Sequence, residues 1–291
     1  MSASATLVSF PAGELTGRGV VTHVHPDPSG AVVVTDATPF HPVDHTWPDQ
    51  PGDSGTIRSA DGSSVAVAEA VMAAVSEDGS FAVGSEIPVK RGAEGWTWLV
   101  GHRLESAAAP DWLAPGASVE LRTDADRRAG LSRGHTACHL ASLALDAALA
   151  DLWRKPVAVD PLGNPDFEGR ANQSSRIHAD GSVDEYRLGK SLRKAGFDSE
   201  SFAATLAERV ERINARLAEW VASGASSRVD ADGPTIVDRR HWRCVLPEGE
   251  VGFLCGGTHV RSLAEFSSIR ASLDLSDPQL LVMTTTAVAA G

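Results

Sequence analysis

His135-Thr136-Ala137-Cys138-His139 and Cys255-Gly256-Gly257-Thr258-His259 are the two stretches on which the reading of this chain turns. Each sets two zinc-type side chains four residues apart. On an α-helix, positions i and i+4 lie one turn apart on the same face, so His135 and His139 can grip one ion. The glycine pair in the second stretch argues for a tight loop rather than a helix. Either pattern alone arises by chance in a chain of this length. Together they offer a His/His/Cys/His set for one Zn²⁺.

Outward from the first motif, helical spacing continues. Leu145, Leu149 and Leu152 extend an apolar face, and Pro156 marks an end, so a helix is expected over about 134–154. A second helix is expected over about 199–223, with Phe202, Leu206, Val210, Ile213 and Leu217 as its stripe, Asp198 as cap and Gly224 as terminator. Short strands are expected at 243–246, 266–270 and 280–283. Helices and strands without βαβ alternation point to a two-layer α+β domain with a mostly antiparallel sheet over residues 125–291. Residues 1–124 read differently. Runs such as 19–24, 31–36 and 65–68 are β-branched and broken by Gly, Pro, Asp and Ser, which predicts a small N-terminal β-barrel. An Ala/Pro-rich linker at 107–116 precedes one further strand at 118–121.

Composition narrows the function classes. The chain has 291 residues, 42% apolar and 22% charged, as an ordinary globular protein does. No apolar run nears the roughly 20 residues needed to span a bilayer, and no secretion signal is visible. Three cysteines are too few for a disulfide framework, so a cytoplasmic protein with thiols available to a metal is expected. The net charge of −12 argues against a nonspecific nucleic-acid binder. Arginines nevertheless cluster before each motif: Arg122, Arg127, Arg128 and Arg133 before the first, Arg239, Arg240 and Arg243 before the second. Such local patches can steer an anionic partner against an acidic background.

The two strings, His-Thr-Ala-x-His-Leu and Cys-Gly-Gly-Thr-His-Val, resemble the editing domain of alanyl-tRNA synthetase and its free-standing AlaX relatives. Asp126-Arg127-Arg128 also resembles the acidic residue and arginine pair that precede the family's first motif. Near the N-terminus, residues 38–42 and 50–57 are similar to the two ends of the family's glycine-rich segment. Between them the family's glycine run is replaced by Val43-Asp44-His45-Thr46-Trp47-Pro48-Asp49. The resemblance covers most of the chain and implies a zinc-dependent deacylase acting in trans on misacylated tRNA. It implies His135, His139, Cys255 and His259 as metal ligands and catalytic centre. His41, Asp44, His45, Trp47, Gln50, Thr136, Thr258, Arg127, Arg128 and Arg133 are then the expected substrate contacts. Seryl- or glycyl-tRNA for alanine is the family default. The rewritten segment implies a reshaped pocket, and resemblance to a diverged kind of relative that deacylates fluorothreonyl-tRNA implies a threonine analogue as substrate instead.

Two other readings stay open. A closed four-ligand site would be a structural zinc in a tRNA-binding module without catalysis, since a catalytic zinc keeps an open position. If the zinc is catalytic, Cys255, whose thiolate opposes formation of a zinc hydroxide, is the expected weak or displaced ligand. A small-molecule hydrolase using the same zinc is the second. A zincin-type protease is set aside, because Thr136 stands where its His-Glu-x-x-His motif needs glutamate. Cys138 lies between two ligands with no identifiable base and is expected to be a packing residue.

Overall fold

A computed structural model describes residues 4–291. The chain is α+β, and its sheets are mostly antiparallel. Contacts divide it into two units. The first runs to Arg128 and takes in Val229–His241 and Leu254–Thr258; the second comprises Ala129–Arg228, Trp242–Phe253 and His259–Gly291. No helix among the described residues is long and apolar enough to cross a membrane.

The first unit contains β1 (Leu7–Val8), β2 (Thr16–His25), β3 (Val32–Thr35), β4 (Ala37–Thr38) and β5 (Gly55–Arg58). It continues with β6 (Ser64–Ser76), β7 (Phe81–Val83), β8 (Trp96–Leu104) and β9 (Ser118–Thr123). Seven of these form one sheet in the order β5-β9-β2-β3-β8-β6-β7, and β5 also pairs with β6. The run Val32-Val33-Val34 explains why β3 sits inside. A strand covered on both faces needs apolar residues at every position, not at alternate ones. Val33 accordingly joins Phe40, Ile57, Met72 and Leu121 in one cluster, while Val32 and Val34 join Val71 and Leu99 in another.

An ion pair holds the end of this unit. Arg128 is 5% exposed and Asp53 1% exposed; the Nε of Arg128 donates to both Asp53 carboxylate oxygens, at 2.9 and 3.1 Å. Its Nη2 also donates to the Pro39 carbonyl at 2.7 Å. Burying two charges is costly, and here the remaining hydrogen-bonding capacity is filled by backbone, which is the condition for tolerating it.

Helix α1 (Ala125–Ala148) starts in the first unit and continues in the second. It begins nine residues before the expected 134. The signal is Asp124, whose carboxylate accepts from the backbone N–H groups of Asp126 and Arg127, both at 3.0 Å. It also ends earlier, followed by a 3-10 turn at Ala150–Leu152. Beyond it lie α2 (Glu168–Ala171), β10 (Asn172–His178), β11 (Gly181–Arg187), α3 (Lys190–Ala195), α4 (Ser199–Ala204) and α5 (Leu206–Ser223). The helix expected over 199–223 is thus two helices. Thr205 breaks it, with its hydroxyl turned back onto the Ser201 carbonyl at 2.7 Å and to the Nε of Arg209 at 3.1 Å. Asp198 caps α4 as expected, accepting from the N–H of Ser201.

The last strands are β12 (Ser227–Ala231), β13 (Arg240–Leu246), β14 (Gly249–Leu254), β15 (Phe266–Asp277) and β16 (Leu280–Ala289). β12, β13 and β14 form a three-stranded sheet, and β10-β11-β16-β15 a four-stranded one. Helix α5 lies on β15. Ile213, Leu217 and Trp220 are fully buried, and Asn214 bonds both the N–H and the carbonyl of Ala271, at 2.9 and 2.8 Å. Helix α1 meets the β10–β11 turn at Gly134, where a Cβ would lie 2.3 Å from the His178 carbonyl oxygen. Only glycine allows that approach, and the next residue is His135.

Candidate metal centre

The spacing of His135 and His139 on α1 does what a helical turn allows. Their ring centroids are 4.9 Å apart, and His259 joins them at 4.5 Å from His135 and 5.3 Å from His139. The ligand-type atoms of His135, His139, Cys255 and His259 all lie within 4.8 Å of one another. His135 and Cys255 are buried, whereas His139 and His259 are half-buried. Two residues separated by about 120 positions from their partners are thereby brought to one point.

The donors are in the state a metal requires. Burial alone pushes His135 down to about 4, and burial together with neighbouring His135 pushes His139 well below the usual imidazole range. Both are neutral near pH 7, with a lone pair to give. Burial raises the Cys255 thiol to about 12, partly opposed by the nearby Arg240. A buried thiol in that condition loses its proton when a cation compensates the charge. Three imidazoles and one thiol are the donor set that Zn²⁺ accepts in tetrahedral geometry.

Surrounding groups orient the rings. Thr136 Oγ1 lies 3.2 Å from the Nδ1 of His259 and accepts the N–H of Val260 at 3.2 Å. In the tautomer that donates Nδ1–H to Thr136, the Nε2 of His259 is the ligand atom. Trp242 and Phe253 both stack on His139, at 5.1 and 5.0 Å between centroids. Trp242 is fully buried and donates its Nε1–H to Ser227 Oγ at 3.0 Å; Ser227 donates to the Val260 carbonyl at 2.6 Å. Neither aromatic residue stood out in the sequence, because each is a lone ring in a strand with no motif around it.

Cys138 faces away into a buried polar patch. Its Sγ donates to Asp184 at 3.3 Å, and burial first, then the Asp184 carboxylate, hold the thiol well above its ordinary value. It stays protonated, which suits a packing residue and not a nucleophile.

The expected substrate contacts fall in two settings. In the first unit, Gln50 is 1% exposed, donates to Thr258 Oγ1 at 2.9 Å and accepts the Thr258 N–H at 3.0 Å. His41 lies 3.4 Å from the same amide and meets Phe10 edge-on. The rewritten segment is anchored rather than loose. Asp44 accepts from the N–H and hydroxyl of Thr46 and from the N–H of Trp47, and pairs with Arg91 at 3.1 Å. His45 bonds the Val89 carbonyl at 2.9 Å, and Trp47 is 49% exposed. The three arginines that precede the first motif, all within α1, are engaged within the protein. Arg127 donates to the Gly52 carbonyl, Arg128 pairs with Asp53, and Arg133 pairs with Asp180.

Comparison of the chain with protein-family models and with curated proteins finds no match in either.

Proposed function

We propose that this protein is a zinc-dependent hydrolase of aminoacyl-tRNA esters, acting in trans to remove a wrong amino acid from tRNA. The observation that carries the reading is the convergence of His135, His139, Cys255 and His259, in the two motifs whose strings resemble those of the AlaX deacylases. When bound there, Zn²⁺ supplies Lewis-acid polarisation of an ester carbonyl, and an ester is already activated enough to need no protein nucleophile. The chain's own contribution is orientation. Thr136 holds the His259 ring, Trp242 and Phe253 hold the His139 ring, and Gly134 lets α1 approach the hairpin that seats His135. The pairing of β5 with both β9 and β6 is in keeping with an N-terminal barrel.

The half-buried state of His139 and His259 favours a site that substrate reaches over a sealed structural zinc. The four-donor set is what favours the alternative, a zinc-stabilised tRNA-binding module without catalysis. The substrate we propose is a threonine analogue on its tRNA, such as fluorothreonyl-tRNA, rather than seryl- or glycyl-tRNA for alanine. Its support is the segment 43–49, where Asp44, His45 and Trp47 replace glycine, with Asp44 pinned by Arg91 and His45 by the Val89 carbonyl. Rates of deacylation across a panel of misacylated tRNAs test both parts. Hydrolysis of none would overturn the enzyme reading, and a tenfold kcat/KM preference for seryl-tRNA would restore the family default.

A further inference from the structure

Beside the Cys255-Gly256-Gly257 turn, the first unit holds two arginines whose guanidinium groups converge on Gly256. A Cβ there would touch Arg240 Nη2 and both Nη atoms of Arg91, each at 3.9 Å, an ordinary van der Waals contact. The two guanidinium groups therefore face the bare backbone of Gly256. Gly256 does not occupy a positive-φ conformation, so a left-handed backbone does not explain the glycine.

Arg240 is the unusual member. It is 3% exposed, and among the described residues it makes no ion pair. It donates only to the carbonyls of Thr235 and Ile236, at 3.5 and 3.3 Å, and lies over the Phe10 ring at 5.2 Å. Its Nε has no partner. Arg91 has one carboxylate, Asp44, and keeps 34% of its side chain exposed. Asp238 and Asp44 act on Arg240 only from beyond ion-pair distance, and Arg91 repels it. A buried charge without a direct ion pair is costly. An anion beside Gly256, between the two guanidinium groups, relieves both. The backbone fixes the arrangement, since the Cys255 N–H donates to the Arg240 carbonyl at 3.0 Å.

We propose that Arg91 and Arg240 form a clamp for a phosphate oxyanion, with Gly256 presenting no side chain between them. The identity of the anion rests on the deacylase reading. An aminoacyl ester has no free carboxylate, so the anionic groups a tRNA 3′ end can bring beside Cys255 are its phosphodiesters. Guanidinium forks suit phosphate oxygens, which accept two parallel hydrogen bonds. Asp44, which pairs with Arg91, competes with the incoming anion.

The zinc-loaded full chain is titrated with inorganic phosphate, with the trinucleotide CpCpA and with adenosine, which lacks phosphate, over a range of salt. Arg91→Gln should weaken phosphate and CpCpA by about tenfold, the worth of one charge-assisted hydrogen bond. It should also flatten the CpCpA salt slope by about 0.7. Gly256→Ala keeps every charge and sets a methyl against all three guanidinium nitrogens, and should cost as much. Asp44→Asn should tighten phosphate. Arg240→Gln is informative only if circular dichroism shows a folded chain, and Arg91→Gln and Gly256→Ala decide the matter without it. Unchanged phosphate affinity in both of these variants overturns the clamp. Phosphate binding that depends on Arg91, with CpCpA no better than adenosine, upholds the clamp and removes the tRNA reading. CpCpA binding that ignores Arg91 and Gly256 does the reverse.

Discussion

Thr136 shows how much of a metal centre lies outside its ligands. Its hydroxyl touches His259 Nδ1 and accepts the N–H of Val260, so one side chain holds both the ring and the path of the loop. Replacing such an outer partner typically lowers metal affinity 10- to 100-fold. Thr136→Val should therefore weaken zinc by about that factor in competition with a chromophoric chelator, and a change below about threefold would place the control of His259 elsewhere. A second residue, Asp146, makes a pH prediction. Its carboxylate accepts from the N–H groups of Phe167 and Glu168, yet burial raises it to about 8, from an ordinary 3.8. The folded state then keeps a proton that the unfolded chain has lost, so stability falls as pH rises toward 8. Glu168, raised to about 7 by burial, adds to the fall, whereas His135, depressed to about 4, acts only below its unfolded value near 6.5. Urea midpoints at pH 6.5 and 8.5 should drop in the native chain and drop less in Asp146→Asn. Equal drops in the two would show that Asp146 ionises freely.

At the scale of elements, α1 is held at two points, and each can be removed. Gly134→Ala drives a methyl into the His178 carbonyl and should destabilise by the roughly 1–3 kcal/mol typical of overpacking, read as a lower melting temperature. An unchanged Tm would mean that the hairpin gives way freely. Arg128→Ala strands the buried Asp53 carboxylate and should cost about 3–5 kcal/mol in urea denaturation. Arg18→Ala, from an ion pair with Glu120 in which both side chains are largely exposed, should cost less than about 1 kcal/mol. Comparable losses in the two would contradict the weight given to burial. These elements also show where the chain was legible. His135 and His139 announced their helix, because a one-turn repeat is a local property, and Asp198 announced its cap for the same reason. The early start of α1 was missed although Asp124 lay in plain view, since nearly all of α1 is buried and its periodicity is faint. The break at Thr205 turns on one hydroxyl choosing a backbone carbonyl, and hydrophobic spacing does not report that choice. Trp242 and Phe253 gain their positions from strand pairing, which hydrophobic spacing does not report; Arg240 stood out only as one of an arginine cluster, and its burial beside Arg91 was not legible.

Over the whole molecule, acidity and the proposed partner are reconciled by placement rather than by total charge. The net charge is −12, and the arginines nearest the first motif are spent on Asp53, Asp180 and the Gly52 carbonyl. What the chain gathers at its candidate metal centre is a small number of groups: three imidazoles and one thiol, with the Arg91–Arg240 pair beside Cys255. A catalytic and a structural zinc make opposite demands on such a molecule. If the metal only holds the fold, its removal unfolds the chain; if it carries the chemistry, its removal stops turnover and leaves the fold. The most direct measurement follows deacylation of a fluorothreonyl-tRNA and far-ultraviolet circular dichroism in one sample, before chelation, after it, and after zinc is restored. Loss of activity with the spectrum kept, and recovery on adding zinc, is the predicted result. Full activity in the chelated, metal-free protein would contradict it.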